Sequence, residues 1–589
     1  MSKSESIEAR TLSALWLRAL SEARPTPAFL VKQRGEWRDV SWDDAGRSVE
    51  ELAAGFLSLG IGKGDRVAIL SRTRLEWTLS DWALIAIGAL VVPIYPASPA
   101  LECAYVLGNS GARFVICEDA GQLAKVAPAR RELEVLEQLI VLDEESESDA
   151  VSLTELRERG RALLASDPEA VDRARARIRE DDALTIVYTS GTTGPPKGCI
   201  LTNRNYFAMV EMVRRVGGLI EPGDQALLFL PLAHTFARLV QFLGAATGLT
   251  IAFCPEPALI SEALREVGPT IFPSVPRLYE RLAAAIRAGF DEQRRLRRWL
   301  AGWALGVGYR AGARRRDRRR YPLRLVLELG LADRLVFRRV RERLGGRLRI
   351  AISGGAPLPL EIAEFFDALG LLVLEGYGLT ECTAGATLNR PDRYRLGTVG
   401  QALVGVDLRI APDGEILVRG ENVFAGYYRD EEATRAVLGE DGWLRTGDLG
   451  VLDAEGFLTI TDRKKDIIVT SGGENVSPQN VETALEALPY VAQALVVGDR
   501  RAYLVALLVL DEAGLSKAAR TEEEARALLE QAIADVNRAH GPAEHVRRFA
   551  VIPRPFSEEE SELTPTLKPR RHVCEEHFRE EIERLYTRA

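Results

Sequence analysis

Short apolar runs recur through the first third of the chain: Val67-Ala68-Ile69-Leu70, Val91-Val92-Pro93-Ile94-Tyr95 and Phe114-Val115-Ile116-Cys117. Helical patterns separate them, and strands alternating with helices predict a layered α/β architecture. Ala183-Leu184-Thr185-Ile186-Val187-Tyr188 and Leu371-Leu372-Val373-Leu374 predict two further short buried strands, and Thr202 or Asn203 is placed to cap a helix after the first of them. The most apolar stretch, 82–94, contains Pro93 and is shorter than the ~20 residues a bilayer crossing needs, so it reads as a buried helix running into a strand. No repeat of 20 to 50 residues and no long Gly/Ser-rich or Pro-rich linker interrupts the pattern.

At 589 residues the chain exceeds one typical domain, and two or three folding units are expected. A net charge of −8 gives no global electrostatic case for binding nucleic acid. The six cysteines, Cys103, Cys117, Cys199, Cys254, Cys382 and Cys574, show neither metal-ligand spacing nor a paired rhythm, which suits a reducing cytoplasm. Met1-Ser2-Lys3-Ser4-Glu5 lacks the apolar core of a secretory signal, so no export is expected.

Candidate chemistry begins at Tyr188-Thr189-Ser190-Gly191-Thr192-Thr193-Gly194-Pro195-Pro196-Lys197-Gly198, where three glycines, four Ser/Thr hydroxyls and one lysine converge. Glycines let backbone approach a ligand, hydroxyls donate to phosphate oxygens, and the ammonium is a compact movable charge. Such a loop is built to hold polyphosphate. A Walker A loop is excluded, because Pro196 stands where that loop needs Gly and Gly198 where it needs Ser or Thr.

The basic residues sharpen the reading. Of 77 lysines and arginines only nine are lysine, and four of these, Lys197, Lys464, Lys465 and Lys568, fall in three short motifs. A guanidinium is a rigid planar fork, whereas an ammonium sits as a point charge between a carboxylate and a phosphate. His234 is the only histidine before His540 and stands among apolar neighbours in Pro231-Leu232-Ala233-His234-Thr235-Phe236-Ala237-Arg238, a setting more typical of a satisfied core residue than a catalytic one.

Taken with Tyr377-Gly378-Leu379-Thr380-Glu381, the loop resembles the phosphate-binding signature of the adenylate-forming superfamily: acyl-CoA synthetases, adenylation domains and luciferases. The resemblance implies a large N-terminal α/β domain of several sheets, 1–462, and a small mobile α+β domain, 463–589. It implies that Thr189, Ser190, Gly191, Thr192, Thr193, Gly194 and Lys197 hold the phosphates of ATP, and that Glu381 carries Mg²⁺, which needs few carboxylates beside phosphate oxygens. Thr380 would meet the α-phosphate and His234 the acyl and α-phosphate end of the site, reversing the bland reading of that histidine. Gly354, Gly355, Ala356 and Pro357, with Glu375, Gly376 and Tyr377, would wall the adenine, while Asp448 and Arg463 would take the ribose. Lys465 would be the hinge pivot, Lys568 the adenylation lysine, and Gly472 and Gly473 the approach for coenzyme A. Pro569 after Lys568 departs mildly from the family pattern.

An arginine-rich insert, 287–347, contains Arg294-Arg295-Leu296-Arg297-Arg298-Trp299 and a second run at 314–321. It reads equally as a solvated helical face or as a surface for anionic lipid. A long basic insert before Ser353-Gly354-Gly355 resembles the long-chain fatty acyl-CoA synthetases. The reaction implied is activation of a fatty acid to acyl-AMP with release of pyrophosphate, then transfer to coenzyme A. The expected place is the cytoplasm, with peripheral attachment to the inner membrane face and a homodimer left open. Competing readings are a fatty acyl-AMP ligase loading a carrier protein, an amino-acid-activating domain, and a nucleotide-regulated membrane adaptor.

Overall fold

The computed structural model describes residues 9–143, 149–189, 195–317, 319–464, 467–471, 474–488, 490–511, 514–516, 521–557, 560–563 and 569–587. A large N-terminal domain is built on two extended sheets. In the first, of eight strands, Leu90–Ile94, Arg66–Leu70, Phe114–Cys117 and Gln138–Val141 run parallel side by side. Val67, Ala68, Ile69 and Leu70 are all fully buried, as strands covered on both faces must be. The apolar stretch near Pro93 is helix Leu75–Ile87 followed by strand Leu90–Ile94. Gly88, at φ +74°, ends the helix in a left-handed turn that a side chain would strain.

Strand Ala183–Thr189 joins this sheet and pairs antiparallel with Lys197–Thr202, placing Thr189 opposite Lys197 at the base of the glycine-rich loop. The sequence led from that loop toward a helix; a strand intervenes, and only then does helix Asn203–Arg214 begin. Thr202 is its N-cap, with Asn205 returning the bond in a capping box.

In the second sheet, of nine strands, Ile271–Ser274, Ile350–Ser353 and Leu372–Tyr377 run parallel, with Ser353 beside Glu375. The apolar run at 371–374 therefore extends as strand through Glu375, Gly376 and Tyr377. Ends of parallel strands leave a crevice suited to a ligand.

The insert is helical. Helix Arg295–Arg316 packs on helix Leu323–Ala332 and on helix Leu360–Ala368, where a Cβ on Gly308 would meet the carbonyl oxygen of Ala368 at 2.2 Å. Arg315 and Arg316 reach the buried Asp367 at 2.6 and 2.8 Å, so part of the arginine run is structural. The other part is surface: Leu323, Val326, Leu327 and Leu331 are 82, 50, 71 and 51% exposed on one face of their helix.

The small C-terminal domain centres on strands Val491–Val497, Leu504–Leu510 and Val546–Ile552, with an apolar cluster on each face. Beyond Arg463 and Lys464 at the boundary itself, two ion pairs among the described residues cross between the domains, Arg277 with Glu486 at 3.6 Å and Arg570 with Glu102 at 3.5 Å. No described helix is long and apolar enough to cross a membrane.

Candidate active site

One cavity of about 680 Å³ draws the sequence motifs together: Thr189, Lys197, His234, Thr380 and Glu381 line it, as do Gly354, Gly355, Gly376, Tyr377 and Arg463. Glu381 sits in the short turn Thr380–Cys382 that follows the strand. Its Oε1 accepts a hydrogen bond from the Tyr427 hydroxyl at 2.8 Å. Tyr427 lies on strand Gly426–Tyr427, which pairs with Lys197–Thr202 and sets Tyr427 beside Cys199. The Lys197 ammonium stands 5.3 Å over the Tyr427 ring and 3.9 Å from Asp430. Burial, reinforced by the Glu381 charge, pushes the Tyr427 phenol far above its usual range. It therefore stays protonated and serves as a donor to Glu381.

Asp448 is buried on strand Leu444–Leu452 and gathers two neighbours. Its carboxylate accepts from the Tyr377 hydroxyl at 2.8 Å and from Arg463 Nε at 2.8 Å. Three residues assigned from separate motifs thus form one network. Lys464 also lines the cavity, with its ammonium 2.8 Å from Asp413 and 3.2 Å from Glu415.

His234 caps helix Thr235–Thr247, and its Nδ1 accepts from the Phe236 N–H at 3.1 Å, so the neutral ring carries its proton on Nε2. Arg238, one turn on, does not reach the cavity. It is fully buried against Asp81 at 2.6 and 3.2 Å, and Gln241 joins the same carboxylate at 2.8 Å.

Four expected nucleotide residues are not in the cavity lining. Ala356, Pro357, Asp448 and Glu375 are absent from the lining; Asp448 is buried against Tyr377 and Arg463, and the Glu375 carboxyl is buried against the backbone at Leu358 and Gly397. Burial pushes its carboxyl up to about 7, against the pull of the backbone N–H groups of those two residues. Its Oε1 has no hydrogen-bond partner among the described residues.

The far end of the cavity is apolar, and nothing in the sequence announced it. Met209 and Val213 enter from helix Asn203–Arg214, Leu239 and Leu243 from helix Thr235–Thr247. Each pair is spaced i, i+4 on one helical face. Tyr427 and Glu415 were likewise unforeseen, since what marks them is long-range strand pairing and no local signal.

Ser190, Gly191, Thr192, Thr193, Gly194, Lys465, Gly472, Gly473 and Lys568 lie outside the described residues. The ends of the Lys568 segment are described: Leu563 bridges Pro569, and the Arg570 N–H donates to the Glu562 carbonyl at 2.7 Å. The Glu562 side chain is fully buried, held by Arg554 at 2.6 Å and His577 at 2.9 Å. Burial opposes its ionisation, yet these partners keep its carboxyl below the usual range.

A magnesium ion prefers one or two carboxylates plus phosphate oxygens. Glu381, oriented by Tyr427 beside the phosphate-loop strand, fits that preference, and the described residues hold no cluster of three or more metal-ligating side chains.

Comparison with known proteins adds a family. Residues 18–428 match the AMP-binding enzyme model and residues 465–589 the AMP-binding enzyme C-terminal domain. The chain is 37% identical over 583 residues to the long-chain-fatty-acid–CoA ligase FadD15 of Mycobacterium bovis, covering 96% of each. It is 29% identical to the long-chain-fatty-acid–CoA ligase ACSBG2 of Xenopus laevis, covering 98% of this chain and 84% of that one. Among solved structures, the adenylation domain of a carboxylate reductase from Mycobacterium chelonae superposes with a TM-score of 0.76 at 23% identity, over 99% of this chain and 93% of that one. The anthranilate CoA ligase AuaEII with anthranoyl-AMP gives 0.75 at 21%, over 97% and 98%.

Proposed function

The chain belongs to the AMP-binding enzymes, and from that premise we infer how its residues carry out the reaction. It is an AMP-forming long-chain fatty acid–CoA ligase. The observation that carries the residue assignments is one cavity joining a polar end, at Thr189, Lys197, Thr380 and Glu381, to an apolar end between two helices.

A carboxylate is a poor electrophile with a poor leaving group, so it must first attack the α-phosphate of ATP and expel pyrophosphate. Both reactants are anionic, and catalysis consists of neutralising charge and aligning the attack. The apolar end buries the acyl chain and points its carboxylate toward the polar end. Thr189 to Gly194 and Lys197 hold the departing pyrophosphate, and Thr380 orients the α-phosphate. Tyr377 stacks on adenine, with Gly354, Gly355 and Gly376 as the facing wall. Asp448 and Arg463, already bonded to each other, take the ribose hydroxyls. Glu381 would hold Mg²⁺, which supplies charge neutralisation at the phosphates when bound. His234, donating from Nε2, steadies the carboxylate, and Lys568 balances the charge that develops as the new P–O bond forms.

In the second half-reaction the coenzyme A thiol attacks the acyl carbonyl and AMP leaves. Lys568 has no part there. The domain from residue 463 turns about Lys465 and brings Gly472 and Gly473 toward the site, where bare backbone admits a slender ligand.

We also propose that the enzyme works in the cytoplasm, peripherally attached to the inner membrane face. What supports this is the face of Leu323, Val326, Leu327 and Leu331, exposed with Arg324, Arg334 and Arg338 on the same helical run. Apolar side chains that enter the lipid boundary beside guanidiniums that meet anionic headgroups suit such attachment.

The test is to incubate purified protein with Mg·ATP and a panel of fatty acids, with and without coenzyme A, and to resolve acyl-AMP from acyl-CoA by mass. Thioester formed on long chains only when coenzyme A is present is the expected result. Adenylate that accumulates despite coenzyme A would mean a ligase serving a carrier protein.

A further inference from the structure

Arg570 stands two positions after Lys568 and belongs to the small domain, yet its side chain reaches the large one. Its Nη2 lies 3.5 Å from Glu102 Oε2, and the two side chains are 20 and 21% exposed. Its backbone is held from the other side: the Arg570 N–H donates to the Glu562 carbonyl, and Leu563 bridges Pro569. The neck of the lysine-bearing segment is therefore closed by the small domain and met at the same point by the large one.

Glu102 is itself firmly placed. It sits in the first turn of helix Ala100–Ser110, and the buried Ser98 hydroxyl donates to its Oε1 at 3.0 Å while Oε2 faces Arg570. The turn leading into the helix is pinned as well. The Ser98 N–H donates to the Tyr95 carbonyl at 3.0 Å, and Lys125 and Gln122 donate to the Pro96 carbonyl at 2.6 and 3.2 Å. Tyr95 lines the active-site cavity. At the far end of the same helix Asn109 Oδ1 accepts from the Tyr188 hydroxyl at 2.6 Å, and Tyr105 packs edge-on against the Tyr188 ring. Tyr188 also lines the cavity and directly precedes Thr189 of the phosphate loop. Glu102 is thus carried on a regular element tied at both ends to the wall of the site, although it is not in the cavity lining. Rigid elements of this kind hold functional groups more precisely than loops do.

A contact between two domains exists in only one of their relative orientations. The proposed turn about Lys465 before the second half-reaction carries Arg570 away from Glu102. Loss of the pair must then fall on one half-reaction, and the place of Arg570 beside Lys568 says which.

We infer that Glu102 is a positioning residue for adenylation: it receives Arg570 and thereby seats Lys568 for the attack on ATP. The inference rests on the roles proposed for Lys568 and for the rotation, and goes beyond them in naming the large-domain residue that receives the small domain.

The test uses the full-length enzyme and follows the half-reactions separately: pyrophosphate release from Mg·ATP with a long-chain fatty acid, and thioester formation from supplied acyl-AMP and coenzyme A. Glu102→Gln keeps the shape of the side chain and removes its charge. It should slow adenylation roughly 3- to 5-fold, the scale of a partly solvated ion pair, and leave thioester formation at the wild-type rate. Glu102→Arg and Arg570→Glu each set like charges together and should each slow adenylation at least ~10-fold. The exchange Glu102→Arg/Arg570→Glu restores the pair and should return adenylation to within ~3-fold of wild type, a rescue that simple damage to either domain would not show. Equal slowing of both half-reactions by Glu102→Gln, or losses that add in the exchanged protein, overturns the inference. Lys568→Ala in parallel separates the inference from its premise. If that variant spares thioester formation and the Glu102 variants do not, the receiver is wrong and the lysine right; if it slows both halves equally, the division of labour falls and the inference with it.

Discussion

Tyr427 donates its hydroxyl hydrogen to Glu381 at 2.8 Å while its ring lies under the Lys197 ammonium at 5.3 Å. The lysine at the base of the phosphate loop and the glutamate assigned to the metal are thereby fixed by one side chain from a strand more than two hundred residues beyond the loop. A hydrogen bond to a charged group is worth ~1.5–3 kcal/mol. Tyr427→Phe should therefore slow adenylation roughly 10- to 100-fold and raise the Mg²⁺ concentration needed for half-maximal rate. Pyrophosphate release at varied Mg²⁺ measures both, and a wild-type Mg²⁺ curve would remove Tyr427 from the site.

Lys568→Ala should abolish acyl-AMP formation and leave thioester formation from supplied acyl-AMP near the wild-type rate. Each half-reaction is followed separately by mass. Equal loss of both would end the division of labour assigned to the small domain.

Asp81 and Arg238 bury opposite charges in the large domain with no exposed surface on either. Burial pushes Asp81 toward its neutral form, and the Arg238 guanidinium beside it opposes this. Removing one partner strands the other, so Arg238→Met should destabilise the large domain by ~3–5 kcal/mol. Replacing both, as Asp81→Leu with Arg238→Met, should recover most of that loss. Urea unfolding midpoints compare the three proteins, and additive losses would refute the pairing.

Glu375 carries a pH signature with a definite sign. Its carboxyl ionises near 4.5 in the unfolded chain and near 7 in the fold, so between those values the folded state holds more protons. Its contribution to stability is full below about 4.5 and is lost as pH rises toward 7. Glu375→Gln abolishes this slope, and its stability relative to wild type should grow by roughly 3 kcal/mol across the interval. Denaturant titrations at pH 4.5, 6 and 7.5 decide it, and a constant difference would mean that Glu375 titrates alike in both states.

The apolar runs near Val67, Val91, Phe114 and Leu371 were readable as buried strands because strands covered on both faces need continuous apolar sequence. Tyr377, Glu381 and Asp448 were singled out by the motifs that resemble the family's, and the structure brings Tyr377 and Glu381 to one cavity with Asp448 bonded to Tyr377. Strand Lys197–Thr202 was hidden, since Lys197-Gly198-Cys199 carries no strand signal until its partner strand is known. The acyl end was hidden for another reason: Met209, Val213, Leu239 and Leu243 keep the same i, i+4 spacing whether a helix faces packed core or open space. Glu375, in the same motif, is not in the cavity lining: its carboxyl is buried against the backbone at Leu358 and Gly397, a long-range packing that the motif does not announce.

The small domain leans on the large one through Arg277–Glu486 and Arg570–Glu102, pairs that solvent partly reaches. Contacts of this kind are worth ~0–1 kcal/mol each, comparable to thermal agitation. On the proposed rotation of the small domain, contacts this weak make the pose a population rather than a lock, and whichever substrate is bound would set the balance of orientations, handing the enzyme's timing to its ligands.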